Sequence, residues 1–191
     1  MTVLVEPKTQ CQENGMSIEF EPFISQADID AKIAEFSRIL DQDYEGKELV
    51  IVMIMKGSIC FVADMMRALS IPCSLDALTC SSYGQNGTKA GELRIFGLEH
   101  LNVQGKHVLL IDDIFDTGKT LAEVYSRVQL QDPASVRSMV LLQRLTEQSV
   151  VYRPDYTLFR VEREKFVVGY GLDYKEQYRG LPGIFVLRHA E

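Results

Sequence analysis

VLLIDDIFDTGKT, residues 108–120, decides the fold class of this 191-residue chain. Val108 to Ile111 form an unbroken apolar run, the mark of a strand buried in a parallel sheet. The run ends in two carboxylates, Asp112 and Asp113. Asp116 follows, then Thr117, Gly118, Lys119 and Thr120. Helical spacing resumes at Leu121, Val124, Tyr125 and Val128. In open α/β sheets a ligand sits beyond the carboxyl ends of the strands, where the next helix offers unpaired N–H groups to an anion. The acidic half of this turn suits a polyol or a metal, and the Thr-Gly-Lys-Thr half suits a phosphate. A phosphorylated ribose carries both features.

Gly118-Lys119-Thr120 also looks like the end of a nucleotide-triphosphate loop, G-x-x-x-x-G-K-[ST]. That loop needs a glycine five residues before Gly118, so that backbone N–H groups can wrap a polyphosphate. Position 113 is Asp, whose carboxylate repels phosphate oxygens, and the reading fails. A solvated acidic turn is the plainer alternative, since Asp and Thr are common turn and capping residues. Three carboxylates and TGKT in one turn weigh against it.

Working outward, α/β alternation continues in both directions. Ser25 with Asp28 makes a capping box, Ile24 and Ile29 its hydrophobic staple, and Ile29, Ile33, Phe36 and Leu40 one helix face. A strand is expected over Glu48–Met55 and a helix over about Ser58–Leu69. Strand Cys73–Tyr83 and a short return strand, Leu93–Phe96, flank residues 85–92, a Gly-, Asn-, Thr- and Lys-rich segment expected to be mobile. Strand Lys106–Ile111, helix Thr117–Leu130 and strand Val136–Leu142 follow. Strand segments near Tyr156–Val161, Phe166–Val168 and Ile184–Leu187 close the chain, while residues 1 to about 23 read as irregular or weakly strand-like. The order fits an α/β fold: one domain over 1–191, a central parallel sheet flanked by helices (about 45–150), and a small hood from the chain ends (about 1–23 and 151–191).

Composition bounds the function. A hydrophobic share of 46% can fill a substantial core. No apolar run approaches the roughly 20 residues of a membrane-spanning helix, and the opening residues lack the order of a secretory signal. Cys11, Cys60, Cys73 and Cys80 show no C-x-x-C or metal-type spacing. Three of them lie in apolar or strand-like contexts that suit reduced, buried thiols, and a cytoplasmic location follows. The net charge of −7 argues against a nucleic-acid partner. An acidic chain that binds a phosphorylated substrate needs local positive charge, which magnesium supplies by bridging substrate phosphates.

Asp112-Asp113-Ile114-Phe115-Asp116-Thr117-Gly118-Lys119-Thr120 resembles the phosphoribosyl diphosphate signature of the type I phosphoribosyltransferases. Met55-Lys56-Gly57-Ser58, Ser81-Ser82-Tyr83-Gly84 and Phe166-Val167-Val168-Gly169-Tyr170-Gly171-Leu172-Asp173-Tyr174 are similar to motifs of the hypoxanthine–guanine phosphoribosyltransferases, in that family's order. The resemblance runs from about Ile24 to Leu187. It implies a magnesium-dependent transfer of the 5-phosphoribosyl group from phosphoribosyl diphosphate to hypoxanthine, and guanine, in purine salvage. It also implies a homodimer or homotetramer.

The same resemblance distributes roles. Asp112 and Asp113 take the ribose hydroxyls, and with Asp173 they are the expected magnesium ligands. Asp116 is the catalytic residue, general base or hydrogen-bond partner at purine N7, and begins the 5′-phosphate loop completed by Thr117, Gly118, Lys119 and Thr120. Lys56, Gly57, Ser82, Tyr83 and Arg179 face the diphosphate, with a cis peptide at Met55–Lys56 and a loop over 85–92 that closes on the substrate. Phe166 stacks on the purine, Val167 bonds its edge through the backbone, and Asp173, Arg144 and Lys165 complete the base site.

Two departures from the family pattern stand out. Asp112 replaces a common Glu, shortening its reach to the ribose by one methylene. Gln143-Arg144 stands where relatives carry the lysine that donates to the 6-oxo group, so the preference among hypoxanthine, guanine and xanthine stays open. A non-catalytic sensor of the same fold would be expected to lose the carboxylate at 116 or gain a basic face, and this chain does neither.

Overall fold

The run Val108–Ile111 forms the middle of an interior strand in a six-stranded sheet. The computed structural model describes residues 10–13, 16–82, 93–145 and 152–189. Along them lie β1 (Gln10–Glu13), β2 (Met16–Ile24), α1 (Gln26–Asp43), β3 (Leu49–Met55), α2 (Ile59–Ala68), β4 (Cys73–Ser82) and β5 (Leu93–Phe96). After a single 3₁₀ turn at Leu98–His100 come β6 (His107–Phe115), α3 (Lys119–Gln129), β7 (Ser135–Arg144), β8 (Tyr156–Val161), β9 (Val167–Val168) and β10 (Ile184–His189).

The larger sheet has the order β5-β4-β3-β6-β7-β8. All neighbours pair in parallel except β5, which runs antiparallel to β4 at the edge. Chain order therefore reverses between β3 and β6, and a crevice forms at the carboxyl ends of strands at such a switch point. The pairing makes room for it. β3 and β6 are in register only from Leu49↔His107 to Met53↔Ile111, while β3 stays on β4 through Met55↔Thr79. β6 likewise stays on β7 through Phe115↔Gln143, so the strand continues past the Ile111 end expected for it. The carboxylates are strand residues because one neighbour still pairs with them.

Two apolar layers cover this sheet. Leu49, Ile51, Leu109, Ile111, Met139 and Leu141 face Ile29, Ile33 and Leu40 of α1 and Phe61, Val62 and Met65 of α2. Their alternates Val50, Val52, Val108, Leu110, Val136 and Val140 face Leu121, Val124 and Val128 of α3. The strands are apolar at every position because both faces are covered. The expected capping box starts α1: Asp28 N–H donates to Ser25 Oγ (3.2 Å) and Ser25 N–H to Asp28 Oδ2 (3.3 Å).

The chain ends meet in a second, antiparallel sheet, β1-β2-β10-β9, packed through Ile18, Phe20, Val168, Phe185 and Leu187. One expectation needs correction. β8 does not join this hood; it extends the main sheet parallel to β7, with Leu158 and Val161 buried in the α1–α2 layer. The cysteines also differ from expectation. Cys60, Cys73 and Cys80 are free but half-buried, and burial raises each thiol, Cys80 to about 11, so none is a ready nucleophile. Among the described residues no helix is long and apolar enough to cross a membrane.

Candidate active site

Asp112 and Asp113 lie at the switch point, each half-buried. Asp112 Oδ1 accepts the Asp113 N–H (3.0 Å), and Asp113 Oδ1 accepts the Ile114 N–H (2.8 Å), so both carboxylates are held by their own strand. Burial, and then the adjacent Asp113 charge, push Asp112 well above the ordinary carboxylate range. The folded state thus keeps a proton that the unfolded chain has released, and stability falls as pH rises from the ordinary carboxylate range toward the raised value. Asp112→Asn keeps the acceptor for Asp113 N–H and removes the charge. It should raise Tm at neutral pH, about 2–4 °C for each kcal/mol relieved in a chain of this size. It should also flatten the loss of stability as pH rises above the ordinary carboxylate range, while weakening substrate binding. Thermal denaturation across that rise checks this, and an unchanged or lower Tm at neutral pH would contradict the assignment.

Asp116, at the end of the turn, is exposed, and among the described residues its carboxylate has no hydrogen-bond or ion-pair partner. The loop then closes into α3 through Gly118, whose φ is +77°. A left-handed residue here ends the expected helical stretch, so α3 starts at Lys119 rather than Thr117. Space also requires glycine: a Cβ would sit 2.7 Å from the Phe115 ring and 3.2 Å from the Tyr152 carbonyl oxygen. No side chain caps α3, so its first N–H groups stay open to a ligand. A cavity of about 90 Å³ faces them, lined by residues that include Asp112, Asp116, Thr117, Lys119 and Thr120. That is well below the roughly 300–1,000 Å³ of a whole-ligand pocket and suits a single anionic group.

The other wall of the crevice is the end of β3. The Met55–Lys56 peptide is cis, as the resemblance implied. Gly57 is buried and wedged: a Cβ would fall 1.6 Å from Asp113 Oδ2 on one side. On the other side Gly171 presses on Gly57, since a Cβ at Gly171 would lie 2.0 Å from the Gly57 carbonyl oxygen. Three separate pieces of chain therefore meet at Gly57, whose backbone lies against the Asp113 side chain from the end of β6 and against the Gly171 backbone from the turn after β9. Ser58, fully buried, ties the β3 turn back by donating to the Ile54 carbonyl (2.5 Å).

The turn after β9 carries the charged groups. Arg179 Nη1 donates to the Gly171 carbonyl (2.8 Å), and Nη2 pairs with Asp173 Oδ1 (2.9 Å) and Glu176 Oε2 (3.0 Å). Lys56 Nζ reaches the same Glu176 oxygen from the β3 side (3.1 Å). Tyr170, buried, anchors the segment to α2 by donating to Asp64 Oδ2 (2.7 Å). Just upstream, the Phe166 ring is 48% exposed and stands nearly perpendicular to Tyr174, with ring centroids 5.7 Å apart. Val167 is buried and pairs with Val186. Arg144 Nη1 donates to the carbonyls of Arg163 (2.8 Å) and Lys165 (2.7 Å), so it braces the approach to Phe166.

The phosphoribosyl transferase domain model matches residues 25–175. The chain is 36% identical to the hypoxanthine phosphoribosyltransferase of Salmonella typhimurium over 85% of its own length and 92% of that protein. It belongs to the phosphoribosyltransferase family. Its neighbours there are enzymes of the hypoxanthine and hypoxanthine-guanine type. A crystal structure of a hypoxanthine phosphoribosyltransferase from Staphylococcus aureus superposes with a TM-score of 0.82 at 34% identity, covering 88% of this chain and 91% of that one. Similarity at 36% identity also extends to the bifunctional TilS/HprT protein of Listeria innocua, of which this chain spans 25%.

Within that family's pattern the structure brings together Lys56, Gly57, Asp173 and Arg179 on one side and Asp112, Asp113 and Asp116 through Thr120 on the other. Three expected groups are placed differently. Among the described residues no three carboxylate, His or Cys side chains gather into a metal-holding cluster, so Asp112, Asp113 and Asp173 form no ready-made cage. Asp173 is taken up by Arg179 and by the Glu176 N–H (2.8 Å). The Lys165 ammonium pairs with Glu162 (3.2 Å) and lies over the Phe23 ring (4.6 Å), so it is spent outside the base segment. The side chain of Ser82, the whole of Tyr83 and the loop over 84–92 lie outside the described residues. Glu176, and the contacts made by Gly171 with Gly57 and by Tyr170 with Asp64, are neighbours of the site to which reading the sequence gave no role. Glu176 sits three residues before Arg179, and that spacing was the available signal.

Proposed function

We propose that this chain transfers the 5-phosphoribosyl group from phosphoribosyl diphosphate to hypoxanthine and guanine, releasing diphosphate. The observation that carries the reading is the convergence at Gly57. There the cationic Lys56–Arg179 side and the acidic, phosphate-cradling side are locked in contact across the switch point. The open N-terminus of α3, with Thr117, Lys119 and Thr120, takes the 5′-phosphate. Asp112 and Asp113 accept hydrogen bonds from the 2′- and 3′-hydroxyls, fixing the ribose between that phosphate and the diphosphate held by Lys56 and Arg179.

In the reaction the C1–O bond breaks and its electron pair leaves with the diphosphate. Purine N9 forms the new bond to C1, and the proton on N7 passes to Asp116. Positive charge builds on the ribose as the bond breaks, so nearby carboxylates favour the transition state over the ground state. Magnesium fits this site through one or two carboxylates plus substrate oxygens, since it keeps most of its coordination for water and phosphate. Asp112 and Asp113 would hold it beside the ribose, and Asp173, once released from Arg179, on the diphosphate side; bound there it would neutralise the departing diphosphate. Phe166 stacks on the base, and the guanidinium of Arg144, a five-donor fork, offers donors to the 6-oxo group. The resemblance adds a homodimer or homotetramer. The free, half-buried cysteines suit the reducing cytoplasm.

A steady-state assay with phosphoribosyl diphosphate and magnesium, comparing hypoxanthine, guanine, xanthine and adenine, tests the proposal. Fast turnover of hypoxanthine or guanine is the expected result and shows that Arg144 does the work of the usual lysine. Turnover of xanthine alone would place the base preference at that substitution. Binding of phosphoribosyl diphosphate with no turnover of any base would replace the enzyme by a sensor of the same fold.

A further inference from the structure

Lys56 and Arg179 arrive at the crevice from different parts of the chain, β3 and the turn after β9. They are joined by one carboxylate. Glu176 Oε2 lies 3.1 Å from Lys56 Nζ and 3.0 Å from Arg179 Nη2, so a single oxygen bridges the two cations. These are the two cations that the diphosphate reading assigns to the leaving group. We propose that Glu176 is a built-in competitor for the diphosphate, occupying its cation pair in the empty site and returning to it as product leaves. The inference rests on the function proposed above.

The backbone supports a built arrangement. Lys175, Glu176 and Tyr178 have φ of 51°, 63° and 70°, the left-handed region that non-glycine residues rarely adopt. Reciprocal bonds between Tyr174 and Gln177 (3.1 and 3.0 Å) and the Glu176 N–H to Asp173 hold the turn. The result aims Glu176 at Lys56, 120 residues away in sequence.

The exposure of the bridge fits a displaceable partner. Lys56 and Glu176 side chains are 57% and 65% exposed, and ion pairs in such settings contribute little to stability. A multiply charged diphosphate outbids one carboxylate for the same two cations, while the carboxylate still lowers its net affinity. Release of product limits turnover in many enzymes, and a residue that weakens the hold on diphosphate would ease that step.

The test is calorimetric titration of the full chain with inorganic pyrophosphate and magnesium, on wild type and Glu176→Gln. The amide keeps size and hydrogen bonding and drops the charge. The variant should bind pyrophosphate about 3- to 10-fold more tightly, and pyrophosphate should inhibit it correspondingly better. Equal or weaker binding by a variant of unchanged Tm would overturn the inference and make Glu176 a positioning residue for the two cations. Failure of the wild type to bind pyrophosphate at all would instead remove the function on which it rests.

Discussion

Asp116→Asn should lower kcat by about 10²- to 10⁴-fold, the scale for losing a general base, and leave the free energy of unfolding within about 0.5 kcal/mol of wild type. The two halves of that expectation come from one placement. Asp116 is exposed and, among the described residues, unpartnered, so the fold does not depend on its charge. It stands at the mouth of the cavity facing the open end of α3, within the stretch proposed to hold the ribose phosphate. Asparagine preserves shape there and removes proton acceptance. KM for phosphoribosyl diphosphate should not rise, because one negative charge beside the 5′-phosphate is removed. Single-turnover rates separate the chemical step from product release, and an unchanged chemical rate would take Asp116 out of the mechanism.

Much of this site is legible in the sequence because its parts are local. An apolar strand, a pair of acids, a left-handed glycine and a helix start follow one another within residues 108–121, and each has a short-range signature. The capping box at Ser25 and Asp28 is local in the same way. What could not be read depends on which strands become neighbours. The burial of Leu158 and Val161 in β8 looks the same whether the strand extends the main sheet or joins the hood. The bracing of the Arg163–Lys165 turn by Arg144 requires β7 and the start of β9 to meet. Glu176 reads as one more surface acid until Lys56 is brought to it. The carboxylates read as the end of β6 because polarity normally ends a buried strand. Here pairing with β7 alone keeps them extended.

Gly57 is the position where this convergence is most exposed to a single methyl group. Its backbone does not demand glycine by φ, so Gly57→Ala places no strain on the turn itself. The added Cβ would lie 1.6 Å from Asp113 Oδ2, 2.4 Å from its Cγ and 3.1 Å from its Cβ, and the side chain must turn away. Turning it gives up the Ile114 N–H bond (2.8 Å) and takes the carboxylate from its proposed place at the ribose hydroxyls. The Gly57 carbonyl, against which Gly171 packs, resists the alternative of moving the β3 turn instead. Misplacement by about 1 Å at a reacting centre can cost about 10²-fold. We therefore expect kcat/KM for phosphoribosyl diphosphate to fall by at least about 10²-fold, with stability within about 1 kcal/mol of wild type because no core contact is lost. Asp113→Ala in the Gly57→Ala background decides whether the damage runs through that carboxylate. If it does, the double variant falls no further than the single one, since the methyl group has already removed what the second change removes. A further drop of the full Asp113→Ala size would mean that Gly57 serves the diphosphate side alone, through Lys56, and that the two walls of the crevice act independently.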